Sequence, residues 1–132
     1  MINLLELSPH QKILEIGSGS GYALALISEI IKEGKIYGIE IDEKLAIKSK
    51  QNLSKYPNIK IINRSGLKGL PEETPFDRIL ISASCPDKSI IYSLLSQLSD
   101  KGILVSPVQQ SIFQIKKEKN IISEKEFPGF SF

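Results

Sequence analysis

Ile13-Leu-Glu-Ile-Gly-Ser-Gly-Ser-Gly21 decides how this chain folds. A short apolar run (Ile13, Leu14, Ile16) bounded by turn residues is the pattern of a buried parallel strand. The glycines at 17, 19 and 21 then permit backbone angles and close ligand approach that side chains would forbid. From Tyr22 onward, Ala23, Leu26, Ile27, Ile30 and Ile31 recur at helical spacing, so a helix N-terminus with free amides faces the glycine turn. Such a strand-turn-helix junction is where nucleotide-like ligands bind. The next apolar run, 35 to 41, ends in Glu40 and Asp42, and Glu40 lies 23 residues after Gly17. An acidic side chain at an offset of about 20 residues can take both hydroxyls of a ribose.

Dinucleotide binders want a third glycine at the sixth position of the turn, and here that position is Tyr22. Glycine at the first, third and fifth positions, preceded by Glu15, resembles instead the first motif of the S-adenosylmethionine-dependent methyltransferases. The resemblance extends in order through 13 to 22, Gly66-Leu-Lys-Gly-Leu-Pro-Glu-Glu-Thr-Pro-Phe-Asp-Arg-Ile79, Leu94-Leu-Ser-Gln-Leu98 and Lys101-Gly-Ile-Leu-Val-Ser-Pro-Val108. Together these look like the catalytic core of the protein-L-isoaspartate O-methyltransferases. The tail, Phe127-Pro-Gly-Phe-Ser-Phe132, resembles the final strand segment of that core.

The resemblance implies S-adenosyl-L-methionine as cofactor and a protein or peptide carboxylate as methyl acceptor, in the service of protein repair. It places Gly17, Ser18, Gly19, Gly21 and Tyr22 at the cofactor turn. Glu15 fixes that turn or faces the cofactor's ammonium group, Glu40 holds the ribose, Ile41 beside it is a further cofactor-binding residue, and Ser65 and Gly66 border the adenine. Ser82 and Ala83 open the loop beside the methyl, which runs to Cys85. No catalytic side chain and no metal site is expected. Two departures stand out: the family's Gly-Asp-Gly after strand three is Arg64-Ser65-Gly66 here, and its Pro-Val-Gly after strand five is Pro107-Val108-Gln109. The family's N-terminal segment, which helps form the substrate site and cover the cofactor, is not expected within the dozen residues ahead of strand one. A partner chain or homodimer covering the open substrate face would supply that surface.

At 132 residues, with 41% hydrophobic and 24% charged, the chain has the size of one compact domain spanning 1 to 132. A net charge of +2 is too mild for a nucleic-acid surface, and Lys116, Lys117 and Lys119 surround the expected hairpin tip as a solvated turn. A single cysteine forms no internal disulfide, no charged leader is evident and no apolar run approaches the roughly 18 residues of a membrane span. The expectation is a cytoplasmic protein. His10 precedes strand one and reads as a surface turn residue at the edge opposite the ligand crevice. Cys85 reads as a small apolar side chain.

The pattern predicts strands at 12 to 16, 35 to 41, 58 to 63, 76 to 83 and 102 to 108, and helices over 21 to 32, 43 to 54 and from Asp87. A terminal antiparallel hairpin of 111 to 117 and 120 to 127 completes seven strands. The expected architecture is α/β, a doubly wound, seven-stranded, Rossmann-like methyltransferase sheet, mostly parallel. Other readings stay open: a non-catalytic cofactor-binding module, a methyltransferase for a small molecule or RNA working with a partner subunit, and a nucleotide-dependent oxidoreductase, which Tyr22 disfavours.

Overall fold

The structure, a computed structural model, describes residues 1–130; the Ser131 and Phe132 end of the expected Phe-rich tail lies outside them. Seven strands form one sheet: β1 (Lys12–Ile16), β2 (Lys35–Glu40), β3 (Ile59–Asn63), β4 (Phe76–Ile81), β5 (Leu98–Val108), β6 (Ser111–Glu118) and β7 (Ile121–Pro128). Their order is β3-β2-β1-β4-β5-β6-β7. The first five run parallel, while β6 pairs antiparallel with both β5 and β7. The expected fold class is the observed one.

Both faces of the central strands β1, β2 and β4 are covered, which is why these read as largely apolar runs. Because side chains alternate along a strand, Ile13 and Leu80 face one side with Leu24 and Ile27 of α1 (Tyr22–Ile30) and Ala46 of α2 (Glu43–Asn52). Leu14, Ile16, Ile39, Ile79 and Ile81 face the other, against Ile91 and Leu94 of α3 (Ser89–Leu94). Asp42 caps α2 by accepting from the Leu45 amide at 3.0 Å.

Most boundaries fall within two residues of the periodicity, with β4 ending at Ile81 rather than 83 and α1 at Ile30 rather than 32; two starts and the placement of the lysines differ for identifiable reasons. β5 begins at Leu98 rather than 102, because the polar stretch Ser99-Asp100-Lys101 is carried into the strand by Leu98 pairing with Phe76, across an irregularity in the ladder. The helix expected from Asp87 begins at Ser89, with Asp87 Oδ1 accepting from the Ser89 amide at 2.8 Å, and it tightens into a 3-10 turn at Leu95–Gln97. Of the lysines expected in a solvated hairpin turn, only Lys119 sits in it. Lys117 reaches back to donate to the carbonyls of Leu95 and Leu98, each at 2.9 Å, satisfying the orphan acceptors at that helix end. Lys116 pairs with Glu6 at 2.9 Å.

Candidate cofactor site

Parallel strands place the carboxyl ends of β1, β2, β3 and β4 along one edge, where ligand crevices form in open α/β sheets. The glycine turn is tied into that edge by the backbone. The Gly17 and Ser18 amides both donate to the Ile39 carbonyl, at 2.9 and 3.1 Å, and the Ser82 amide donates to Ile16 at 2.9 Å. Gly17 has φ +79°, and a Cβ there would stand 3.1 Å from the Ala83 backbone and side chain, so this position demands glycine on both counts. Gly21, also at positive φ, opens α1, and its amide closes the turn onto Ser18 at 3.0 Å.

Glu40 is the hinge of the arrangement. Its Oε1 accepts from the Gly19 amide at 2.7 Å and its Oε2 from the Asp42 amide at 2.9 Å. A carboxylate has about four lone-pair sites, so each oxygen retains one for a further donor. Asn63 at the end of β3 donates to the carbonyls of Glu40 at 2.8 Å and Ile41 at 3.1 Å, holding the end of β2 in place.

Glu15 lies beneath the turn, 1% exposed, on the α1 face of the sheet. It sits across from Gly38 and Leu80 in register, and Glu40 and Ser82 project to the same side two residues further on. The Ser82 hydroxyl donates to Glu15 Oε2, while Oε1 has no partner. Burial pushes the Glu15 carboxyl up to about 7; the Ser82 bond pulls the other way, and the Glu40 charge adds to the rise. Ser18 Oγ is a second buried atom without a partner, and it stands 3.1 Å from where a Gly38 side chain would begin. Two orphaned polar atoms in one nest mark a place where a donor from outside the protein fits.

On the opposite face of the same edge a cleft of about 440 Å³ opens. Ile16, Ile39 and Ile81 at the strand ends line it, together with Gly17, Ile41, Ser65, Gly66, Leu67, Ala83, Asp87 and Ile90. A Cβ on Gly66 would run into Ile16 Cγ2, so glycine keeps this wall open. The sequence-predicted residues therefore divide. Gly17, Ile41, Ser65, Gly66 and Ala83 meet in the cleft, Glu15, Ser18, Glu40 and Ser82 gather under the turn, and Gly19 and Gly21 shape it. Tyr22 is 75% exposed and joins neither group. Cys85 lines the cleft as a buried side chain, its Sγ 3.7 Å from Ser106 Oγ. His10 is exposed and pairs with Glu33 at 3.0 Å. Leu67, Asp87 and Ile90 went unrecognised in the sequence, since they reach the cleft from loops and α3, where no periodicity signals what faces a ligand.

A glycine turn closed by an acidic strand end, set beside an apolar cleft on this strand order, defines the Rossmann-like methyltransferase fold. Within that class, the chain belongs to the protein-L-isoaspartate(D-aspartate) O-methyltransferase family, whose family model matches residues 1–129. A protein-L-isoaspartate O-methyltransferase of Pyrobaculum islandicum is 39% identical over 119 residues, covering 87% of this chain and 56% of the relative. That of Methanosarcina mazei is 40% identical over 124 residues, covering 89% of this chain and 50% of the relative. The chain thus spans about half the length of these relatives. A Plasmodium falciparum structure, described as a protein-L-isoaspartate O-methyltransferase in complex with S-adenosyl-L-homocysteine, superposes with a TM-score of 0.82 at 24% identity. It covers 99% of this chain and 67% of that one. Among the described residues, no helix is long and apolar enough to cross a membrane.

Proposed function

We propose that residues 1 to 132 form one S-adenosyl-L-methionine-binding domain of a protein-L-isoaspartate O-methyltransferase, acting in the cytoplasm on a protein or peptide carboxylate. The observation that carries this reading is the pairing of Glu40 with the glycine turn, at the edge where an apolar cleft opens. When bound, the cofactor supplies an activated methyl on a sulfonium. The remaining lone pairs of Glu40 suit two ribose hydroxyls, and the apolar walls at Ile41 and Leu67 suit a flat base. The orphaned Glu15 Oε1 and Ser18 Oγ suit a donor group such as an ammonium or a bridging water.

The loop from Ser82 to Cys85 borders the same edge and would orient the acceptor. A carboxylate acceptor with an ordinary pKa of about 4 is already ionised at neutral pH, so positioning rather than a general base is what this chain has to provide. The cleft rim is bare: Ile41 and Leu67 are each 70% exposed. A partner chain, a second copy or a segment like those of the longer relatives would cover it and complete the acceptor site. A nucleic-acid partner is not part of this reading.

The test is transfer of labelled methyl from S-adenosylmethionine to an isoaspartyl peptide. The chain of 132 residues binds the cofactor and transfers slowly. Fusion of a relative's N-terminal segment ahead of Met1 raises the rate. Full-rate transfer by these residues alone would refute the need for a cover, and absence of cofactor binding would refute the whole reading.

A further inference from the structure

We propose that Asp87 reads the cofactor's base: its carboxylate accepts the exocyclic amine of adenine, which makes Asp87 the specificity-determining residue of the cleft. The inference rests on the cofactor reading above. If Glu40 holds the ribose, the base lies alongside Ile41 and Leu67, in the apolar part of the cleft. Hydrophobic walls bind any purine; telling one from another requires a polar group at the rim that matches the edge of the ring.

Asp87 is the one charged residue among those lining the cleft. Its Oδ1 is engaged by the Ser89 amide at 2.8 Å, which fixes the orientation of the carboxylate and leaves it lone pairs for a further donor. Hydrogen bonding from Ser89 also keeps the group below the usual carboxylate range, so it is a charged acceptor at neutral pH. Its neighbour Lys88 offers no counter-charge. That ammonium pairs with Glu124 at 2.9 Å and lies 4.3 Å from the centre of the Phe113 ring.

Across the cleft, Ser65 is suited to the complementary role. Its Oγ accepts from the Leu67 amide at 3.3 Å, which leaves the hydroxyl proton to donate. Adenine carries a donor at its exocyclic amine and acceptors at its ring nitrogens. A rim with one charged acceptor and one hydroxyl donor therefore matches adenine. Hypoxanthine, with a carbonyl oxygen in place of the amine, would set that oxygen against the Asp87 carboxylate.

Calorimetry of the full chain with S-adenosylhomocysteine, and with its analogue bearing unsubstituted purine in place of adenine, tests this. Asp87→Asn keeps an oxygen for the Ser89 amide and presents an amide nitrogen toward the cleft; a thermal melt confirms that it is folded. Asp87→Asn should weaken S-adenosylhomocysteine by about tenfold or more, the loss expected when a charged acceptor is removed, and leave the amine-free analogue unchanged. Equal losses for both ligands, or none for either, would overturn the role of Asp87 while leaving the cofactor reading standing. Failure of the unaltered chain to bind S-adenosylhomocysteine would overturn both.

Discussion

Glu15 makes the stability of this chain depend on pH in a direction opposite to that of most carboxylates. Its carboxyl is buried under the glycine turn with one oxygen unpartnered, and it is pushed from the ordinary 4.5 up to about 7. Desolvation is the main cause, and the nearby Glu40 charge reinforces it. Between those two values the folded chain holds a proton that the unfolded chain has released. Folding is therefore favoured at low pH, weakens as pH rises from about 4.5 to about 7, and is insensitive to this group above that window. A rise of some two and a half units at about 1.36 kcal/mol each gives a loss of about 3 kcal/mol across it.

Glu15→Gln removes the titration while keeping the shape of the side chain and an amide oxygen for the Ser82 hydroxyl. The measurement is urea unfolding of both proteins between pH 4.5 and 8, read as the difference between their unfolding free energies, so that every other titrating group cancels. The variant gains about 3 kcal/mol on the native chain between the ends of that range, equivalent to roughly 10 °C in melting temperature. Parallel stability curves would refute the reasoning. They would show that Glu15 is ionised in the native state and that water or a counter-ion reaches it.

Glu40→Gln weakens S-adenosylhomocysteine by about 1.5 to 3 kcal/mol in calorimetry, the range for hydrogen bonds to a charged group, and Asp42→Asn weakens it less. Because Glu40 also holds the Gly19 amide, its variant should in addition speed amide exchange in the glycine turn. Gly66→Ala drives a methyl into Ile16 and lowers stability by about 1 to 3 kcal/mol in urea unfolding. S-adenosylmethionine or its demethylated product raises the melting temperature by mass action and NAD does not; equal shifts with both would refute the assignment of the turn.

The sheet was legible because the central parallel strands are largely buried on both faces and so appear as apolar runs, Ile13 to Ile16 broken only by Glu15 and Ile79 to Ile81 unbroken. The glycine turn was legible because positive φ and close approach are requirements that composition cannot hide. The polar nest was half legible. Glu40 was identified by its spacing and Glu15 by the glycine motif it precedes, but only the register, with Glu15 opposite Gly38 and Glu40 two residues beyond, shows that they share a face and that the Glu40 charge adds to the proton affinity of Glu15. Asp87 read as the start of a helix, which in part it is. Its place on the cleft comes from how α3 lies on the sheet, a tertiary fact with no local signature. Lys117 misled for the same reason, since the carbonyls it satisfies are about 20 residues away in sequence.

Strand alternation also explains why the site has two unlike halves. The last two residues of β1 are Glu15 and Ile16, and β2 ends in Ile39 and Glu40. With a side-chain period of two, each pair sends its carboxylate to the α1 face and its isoleucine to the face that carries the cleft. At the edge between them, the three glycines of the turn leave backbone bare of side chains. A ligand that straddles this edge meets charged oxygens and free backbone on one side and a dry, flat-walled cleft on the other. A molecule with a cationic amino-acid end, a ribose and a flat base has that distribution of polarity. An inorganic phosphate lacks the apolar part, and a simple hydrophobe would leave the nest under Gly19 unsatisfied. The division of this site follows from the order Glu-Ile in one strand and Ile-Glu in its neighbour. Exchanging Glu40 with Ile41 would send the carboxylate into the cleft and an isoleucine under the turn, abolishing both halves at once.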